Sequence, residues 1–168
     1  MKFKEHQYGD QVHLLDDPMA AAGLTRLCDK ATHSAAVVSI TRSLYKEVLL
    51  RAAMNTLAPT MRATAVTPMA QLVGRRGVLE DTTVDPRTPI TVAVLLRAGD
   101  VPAHACRSRL IGLYDDVRVD YFGASRQTND RHEVTGTDVS YVKSGPLTGR
   151  LLLLPDPMGA TGGSIVKV

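Results

Sequence analysis

The sequence has no tryptophan, two phenylalanines and five tyrosines, so aromatic residues make up 4% of its 168 positions. Stacking platforms of the kind that hold single-stranded nucleic acid are correspondingly scarce. Cysteine is nearly absent as well. Cys28 and Cys106 lie 78 residues apart and form no CxxC spacing, which argues against a disulfide framework and fits a reducing cytoplasm. No apolar run approaches the about 20 residues a membrane span requires. The opening segment MKFKEHQYGD carries no apolar stretch behind its lysines, so no secretory signal is expected. His6, His13, His33, His104 and His132 show neither HxxxH nor HExxH spacing, which disfavours a zinc site. Charge of one sign is never concentrated: 20 basic against 17 acidic residues give a net charge of +3, with no block of five or more Lys or Arg. An enzyme of phosphorylated metabolites would show the same mild basicity, so charge alone decides nothing. A nucleic-acid partner is disfavoured, because no basic stripe is interleaved with aromatics.

What is present is 44% hydrophobic and 22% charged residues, the composition of a globular chain with one core. Residues before Thr32 read as irregular, with a loose apolar pattern at Leu14, Leu15, Leu24 and Leu27. Val37, Ile40, Leu44 and Val48 recur at spacings of three and four, predicting a helix from Ser34 to about Leu57, capped by Thr32 or Ser34 and closed by Pro59. The turn Asp85-Pro86-Arg87-Thr88-Pro89 precedes Ile90-Thr91-Val92-Ala93-Val94-Leu95-Leu96. That continuous, β-branched run predicts a strand covered on both faces. Pro102 suits a first helical turn, so Ala103–Leu113 continues as helix. Val117–Phe122 and Leu151–Leu154 are further strands, and Val139–Lys143 is one arm of a hairpin. Strand, helix, strand in this order predicts an α/β fold whose sheet is mainly parallel and flanked by helices.

The segment with the most chemistry is Leu151–Ser164, LLLLPDPMGATGGS. A strand leads into Asp156 and then into a loop of small residues whose backbone N–H groups can turn toward an anion. The hydroxyls of Thr161 and Ser164 add donors, and a helix starting near Ser164 would favour phosphate at its N-terminus. Asp156 is suited to sugar hydroxyls or a hydrated Mg²⁺. A Gly-rich loop after a strand is also an ordinary turn, so the loop alone leaves both readings open. The loop lacks the Lys of GxxxxGK[ST] and does not fit GxGxxG, which disfavours those nucleotide-binding loops. Arg97, directly after the apolar strand and before Ala98-Gly99, can make paired hydrogen bonds to a pyrophosphate. Arg126 alone would pass as a solvated surface charge. Cys106 is expected in the core, His104 partly exposed, and Asp115 and Asp116 in a solvated turn.

Asp156-Pro157-Met158-Gly159-Ala160-Thr161-Gly162-Gly163-Ser164 closely resembles the loop with which uracil phosphoribosyltransferases bind 5-phosphoribosyl pyrophosphate (PRPP), Gly159 standing where that family has Leu. The Asp-Pro pair is the mark of the uracil branch, since other type I phosphoribosyltransferases carry two adjacent acids. Leu95-Leu96-Arg97-Ala98-Gly99 resembles the family's turn on pyrophosphate. Gly123-Ala124-Ser125-Arg126, after a strand, resembles its Gly-x-x-Arg, and Tyr141-Val142-Lys143 the arm of a hairpin over the site. Leu24–Thr32 and the helix after it are similar to the family's N-terminal arm, so the resemblance spans about residues 13–168.

The resemblance implies a type I phosphoribosyltransferase-like fold. Residues 1–60 would be an N-terminal arm and helix and 61–168 the phosphoribosyltransferase core, one structural domain in all. It implies transfer of ribose 5-phosphate from PRPP to uracil, giving UMP and pyrophosphate in pyrimidine salvage in the cytoplasm. Mg²⁺ would arrive with PRPP, without a direct protein metal site, and the chain would form a homodimer or higher homo-oligomer away from any membrane. Asp156 and Arg97 become the catalytic candidates. Arg97, Arg126, Asp156, Pro157, Met158, Gly159, Ala160, Thr161, Gly162, Gly163 and Ser164 become the PRPP-binding set. The sequence departs from the family in Pro155, in Asp100-Val101-Pro102 after the pyrophosphate turn, and in ending four residues past Ser164. The family's base-binding segment is therefore expected to lie outside these residues, whether through truncation or degeneration. The alternative is a catalytically silent relative that senses PRPP or a nucleotide.

Overall fold

The computed structural model describes residues 2–128, 134–157 and 165–166. In chain order the elements are β1 (Phe3–Lys4), β2 (Leu14–Leu15), α1 (Pro18–Cys28), α2 (Ser34–Ser43), a π-helical stretch (Leu44–Leu49), α3 (Leu50–Leu57), β3 (Thr60–Val66), α4 (Ala70–Val73), a 3₁₀ turn (Gly74–Gly77), β4 (Val78–Val84), β5 (Ile90–Leu96), α5 (Asp100–Leu110), β6 (Val117–Thr128), β7 (Val134–Lys143) and β8 (Leu151–Leu153). The central sheet has the order β7-β6-β5-β8. β5 runs parallel to both β6 and β8, and β7 returns antiparallel to β6. The sheet is thus mixed, a parallel centre with one antiparallel edge.

β5 is the axis of the core. Its residues Ile90 to Val94 are almost wholly buried, which explains why the run is continuously apolar rather than alternating. Ile90, Val92 and Val94 pack with Leu50, Met54, Ala103, Cys106, Leu110, Tyr114 and Leu153, whereas Ala93 and Leu95 pack with Phe122 in a second cluster. The first cluster joins the sheet to α3 and α5 and so fixes both helices over one face.

The long helix expected from Ser34 to Leu57 is present, but its centre widens into the π-helical stretch. Its cap differs from expectation. His33 is the N-cap, without a side-chain cap bond, and the Thr32 hydroxyl instead donates to the Arg26 carbonyl at 2.6 Å. The region before Thr32 is not irregular. Asp17 caps α1 by accepting from the Ala20 amide at 2.9 Å, with Pro18 in the first turn. α1 packs against α2 and the π-helical stretch, where a Cβ on Gly23 would come within 2.7 Å of the Leu44 side chain. β6 also runs further than expected, so Gly123–Arg126 lies within the strand rather than after it.

Candidate functional site

Register brings the sequence motifs to one edge of the sheet. Leu96, the last residue of β5, pairs with Gly123 of β6, and Val92 pairs with Leu153, the last residue of β8. Arg97 therefore begins the turn after the middle strand. Asp156 follows the end of the parallel strand on one side, and Arg126 lies three residues beyond Gly123 on the other. Carboxyl ends of neighbouring parallel strands are where open α/β sheets form ligand crevices.

The Arg97 turn is tight and backbone-held. The Gly99 amide donates to the Leu95 carbonyl at 2.8 Å, and the Asp100 amide to the Arg97 carbonyl at 3.2 Å, before α5 begins. The Leu96–Arg97 peptide is cis. Gly99 is buried, while Arg97 and Ala98 are exposed, so the guanidinium stands in solvent at the sheet edge, available to an anionic ligand. Asp100 lies in the first turn of α5, with its carboxylate 3.4 Å from His104 Nε2. His104 is half-exposed there, and Cys106 is buried in the core, as the sequence suggests.

The Asp156 turn is held from the helical layer. Pro155 is buried, Asp156 half-buried and Pro157 exposed. The hydroxyl of Tyr45, in the π-helical stretch, donates to the Asp156 carbonyl at 2.7 Å. Burial, then the negative charge of Asp156, then Cys106 push the Tyr45 phenol up to about 12, so it stays a protonated donor at any ordinary pH. Met158, Gly159, Ala160, Thr161, Gly162, Gly163 and Ser164, the rest of the expected cradle, lie outside the described residues, and the described Ile165 and Val166 have helical backbone. Arg126 is placed by its backbone, paired with Thr137 across the β6–β7 hairpin.

Two further side chains brace the opposite end of the sheet, where Arg118 pairs with Thr91 and Leu151, next to Arg150, pairs with Ile90. Arg118 lies under the hairpin, its Nε 2.8 Å from Asp120 Oδ1 and its Nη2 donating to Asp120 Oδ2 at 2.9 Å and to the Pro146 carbonyl at 3.0 Å. Arg150, ahead of β8, donates from Nε to the buried Thr91 hydroxyl at 2.7 Å and from Nη2 to the Ile90 carbonyl at 2.8 Å. It also grips both oxygens of Asp116, so that residue is more than a solvated turn. Sequence reasoning missed Tyr45 and Arg150, whose partners are distant in the chain. Among the described residues no group of three His, Cys, Asp or Glu side chains could hold a metal ion, and no helix is long and apolar enough to cross a membrane.

Comparison with known proteins agrees with the motifs. The chain is 27% identical over 158 residues to a uracil phosphoribosyltransferase of Corynebacterium diphtheriae and 32% identical over 160 residues to one of Bifidobacterium longum subsp. infantis. Each match covers 93% of this chain but only 65% and 66% of the respective relative. The chain therefore spans just under two thirds of the length of these curated relatives. No protein-family model matches it. The AQ2163 protein of Aquifex aeolicus has a similar fold, with a TM-score of 0.70 at 17% identity, covering 91% of this chain and 65% of that one.

Proposed function

Because the chain is a relative of the uracil phosphoribosyltransferases along 93% of its length, we propose that it binds PRPP at the β6-β5-β8 edge and serves transfer of ribose 5-phosphate to uracil. The observation that carries this reading is the register that puts the Arg97 turn and the Asp156 turn at the ends of adjacent parallel strands. A pyrophosphate and a ribose are two halves of one ligand, and the two turns offer a cation for the first and a carboxylate for the second.

In the reaction, the bond from ribose C1′ to the pyrophosphate oxygen breaks as a uracil nitrogen bonds to C1′, and that nitrogen loses its proton. Positive charge develops on the ribose ring and negative charge on the leaving pyrophosphate. The exposed Arg97 guanidinium would pair with that negative charge, and Arg126 would approach it from β6. The Asp156 carboxylate would accept hydrogen bonds from the ribose hydroxyls and orient C1′. The loop from Gly159 to Ser164 would receive the 5-phosphate through backbone amides. Mg²⁺ bound on PRPP oxygens would neutralise the departing pyrophosphate. No covalent nucleophile is needed.

The test is formation of UMP from uracil and PRPP with Mg²⁺, using the complete natural product that contains these residues. Arg97→Ala and Asp156→Asn are each expected to lower the rate by about a hundredfold or more, the usual cost of removing a group that meets developing charge. A protein that binds PRPP and forms no UMP would instead be a sensor.

A further inference from the structure

We infer that Tyr45 is a positioning residue for the Asp156 turn, fixing the ribose side of the proposed PRPP site from the helical layer. The inference rests on the PRPP reading above and deepens it.

The sheet alone does not hold this turn. The β5–β8 ladder runs only from Ile90↔Leu151 to Val92↔Leu153, which ends three residues before Asp156. Pro155, directly before Asp156, has no amide to donate. Across that gap the Tyr45 hydroxyl reaches the Asp156 carbonyl at 2.7 Å, over 111 residues of sequence. The ring itself packs against the main core cluster, so the donor stands on a braced base. The main chain of Tyr45 is tied to α5. Cys106 Sγ lies 3.9 Å from the Tyr45 carbonyl, and Cys106 belongs to α5, the helix that follows the Arg97 turn. One residue thus touches both the helix behind the pyrophosphate turn and the loop that carries the ribose carboxylate. It sits where the helix widens into π geometry, a local irregularity often found at functional sites.

Tyr45→Phe removes the donor and keeps the ring, so the comparison is between similarly packed proteins. Binding of Mg²⁺–PRPP and of inorganic pyrophosphate is measured by calorimetry for the chain, for Tyr45→Phe, for Asp156→Asn and for the double variant. Loss of one hydrogen bond that aims a ligand group is expected to weaken PRPP about tenfold. Pyrophosphate, which has no ribose, is expected to bind unchanged. The double variant is expected to bind PRPP no more weakly than Asp156→Asn alone, since both changes act through one turn. Unchanged PRPP affinity in Tyr45→Phe, equal weakening of both ligands, or losses that multiply in the double variant would overturn the inference. Failure of the unsubstituted chain to bind PRPP is a separate result and overturns the reading beneath it.

Discussion

Gly99 lies directly against the backbone of Leu95: a Cβ placed on Gly99 would come to 2.8 Å from both the Leu95 nitrogen and the Leu95 oxygen. Neither of those atoms is a movable side-chain tip. Glycine is required by this close approach and not by backbone conformation, since Gly99 has φ −73°.

Gly99→Ala is therefore expected to push the start of α5 away from β5 and carry Arg97 with it. Overpacking of this kind costs about 1–3 kcal/mol, and PRPP affinity should fall with it. Gly112→Ala is the control, because a Cβ there meets only the Arg109 oxygen at 3.9 Å. That control should stay within about 0.5 kcal/mol of the parent. Urea unfolding read beside PRPP titration checks both.

Arg150→Met should destabilise the sheet more than Asp116→Asn does. The Arg150 side chain is 12% exposed, whereas that of Asp116 is 56% exposed, so the ion pair itself is screened by solvent. The larger loss lies in the bonds to the buried Thr91 hydroxyl and the Ile90 carbonyl, together about 1–3 kcal/mol. Chemical denaturation of the two variants gives the order. An Asp116→Asn effect equal to that of Arg150→Met would place the energy in the ion pair instead.

Acid stability should report on Asp120, which is 2% exposed. Burial alone would raise its pKa. The Ser144 hydroxyl, the Arg118 guanidinium and the Gly145 amide outweigh burial and hold the carboxyl below its usual range. A depressed folded pKa means stabilisation present above the unfolded pKa and lost as pH falls through the folded one. The stability difference between the parent and Asp120→Asn is thus expected to be constant above about pH 5 and to shrink below about pH 4. A difference that stayed constant to pH 2 would contradict the account.

The parts of the fold legible in the sequence are those in which burial imposes a pattern. Ile90–Leu96 reads as a strand because both its faces are covered, and its turn residues mark where Arg97 emerges. β3 and β4 carried no such pattern, since most of their side chains are exposed and their pairing rests on the backbone ladder. α1 buries no residue fully, so its apolar spacing is loose and reads as irregular, although Asp17-Pro18 stands at its start as cap and first turn. The continuation of β6 through Arg126 depends on partners supplied by β7, among them Thr137 for Arg126. The site divides in the same way. Arg97 and Asp156 are visible as residues at strand ends, while Tyr45 beside them and Arg150 at the far end of the sheet act on partners 111 and about 60 residues away. No local rule connects such positions.

The central claim is that one ligand bridges the two turns at the end of β5 and β8. Its most direct measurement is calorimetric titration of the chain with PRPP and Mg²⁺, beside Arg97→Ala and Asp156→Asn. The account predicts saturable one-to-one binding that each substitution weakens at least about tenfold, equivalent to about 1.4 kcal/mol, with Arg97→Ala also weakening inorganic pyrophosphate and Asp156→Asn sparing it. Absence of binding, or binding that neither substitution alters, would contradict it.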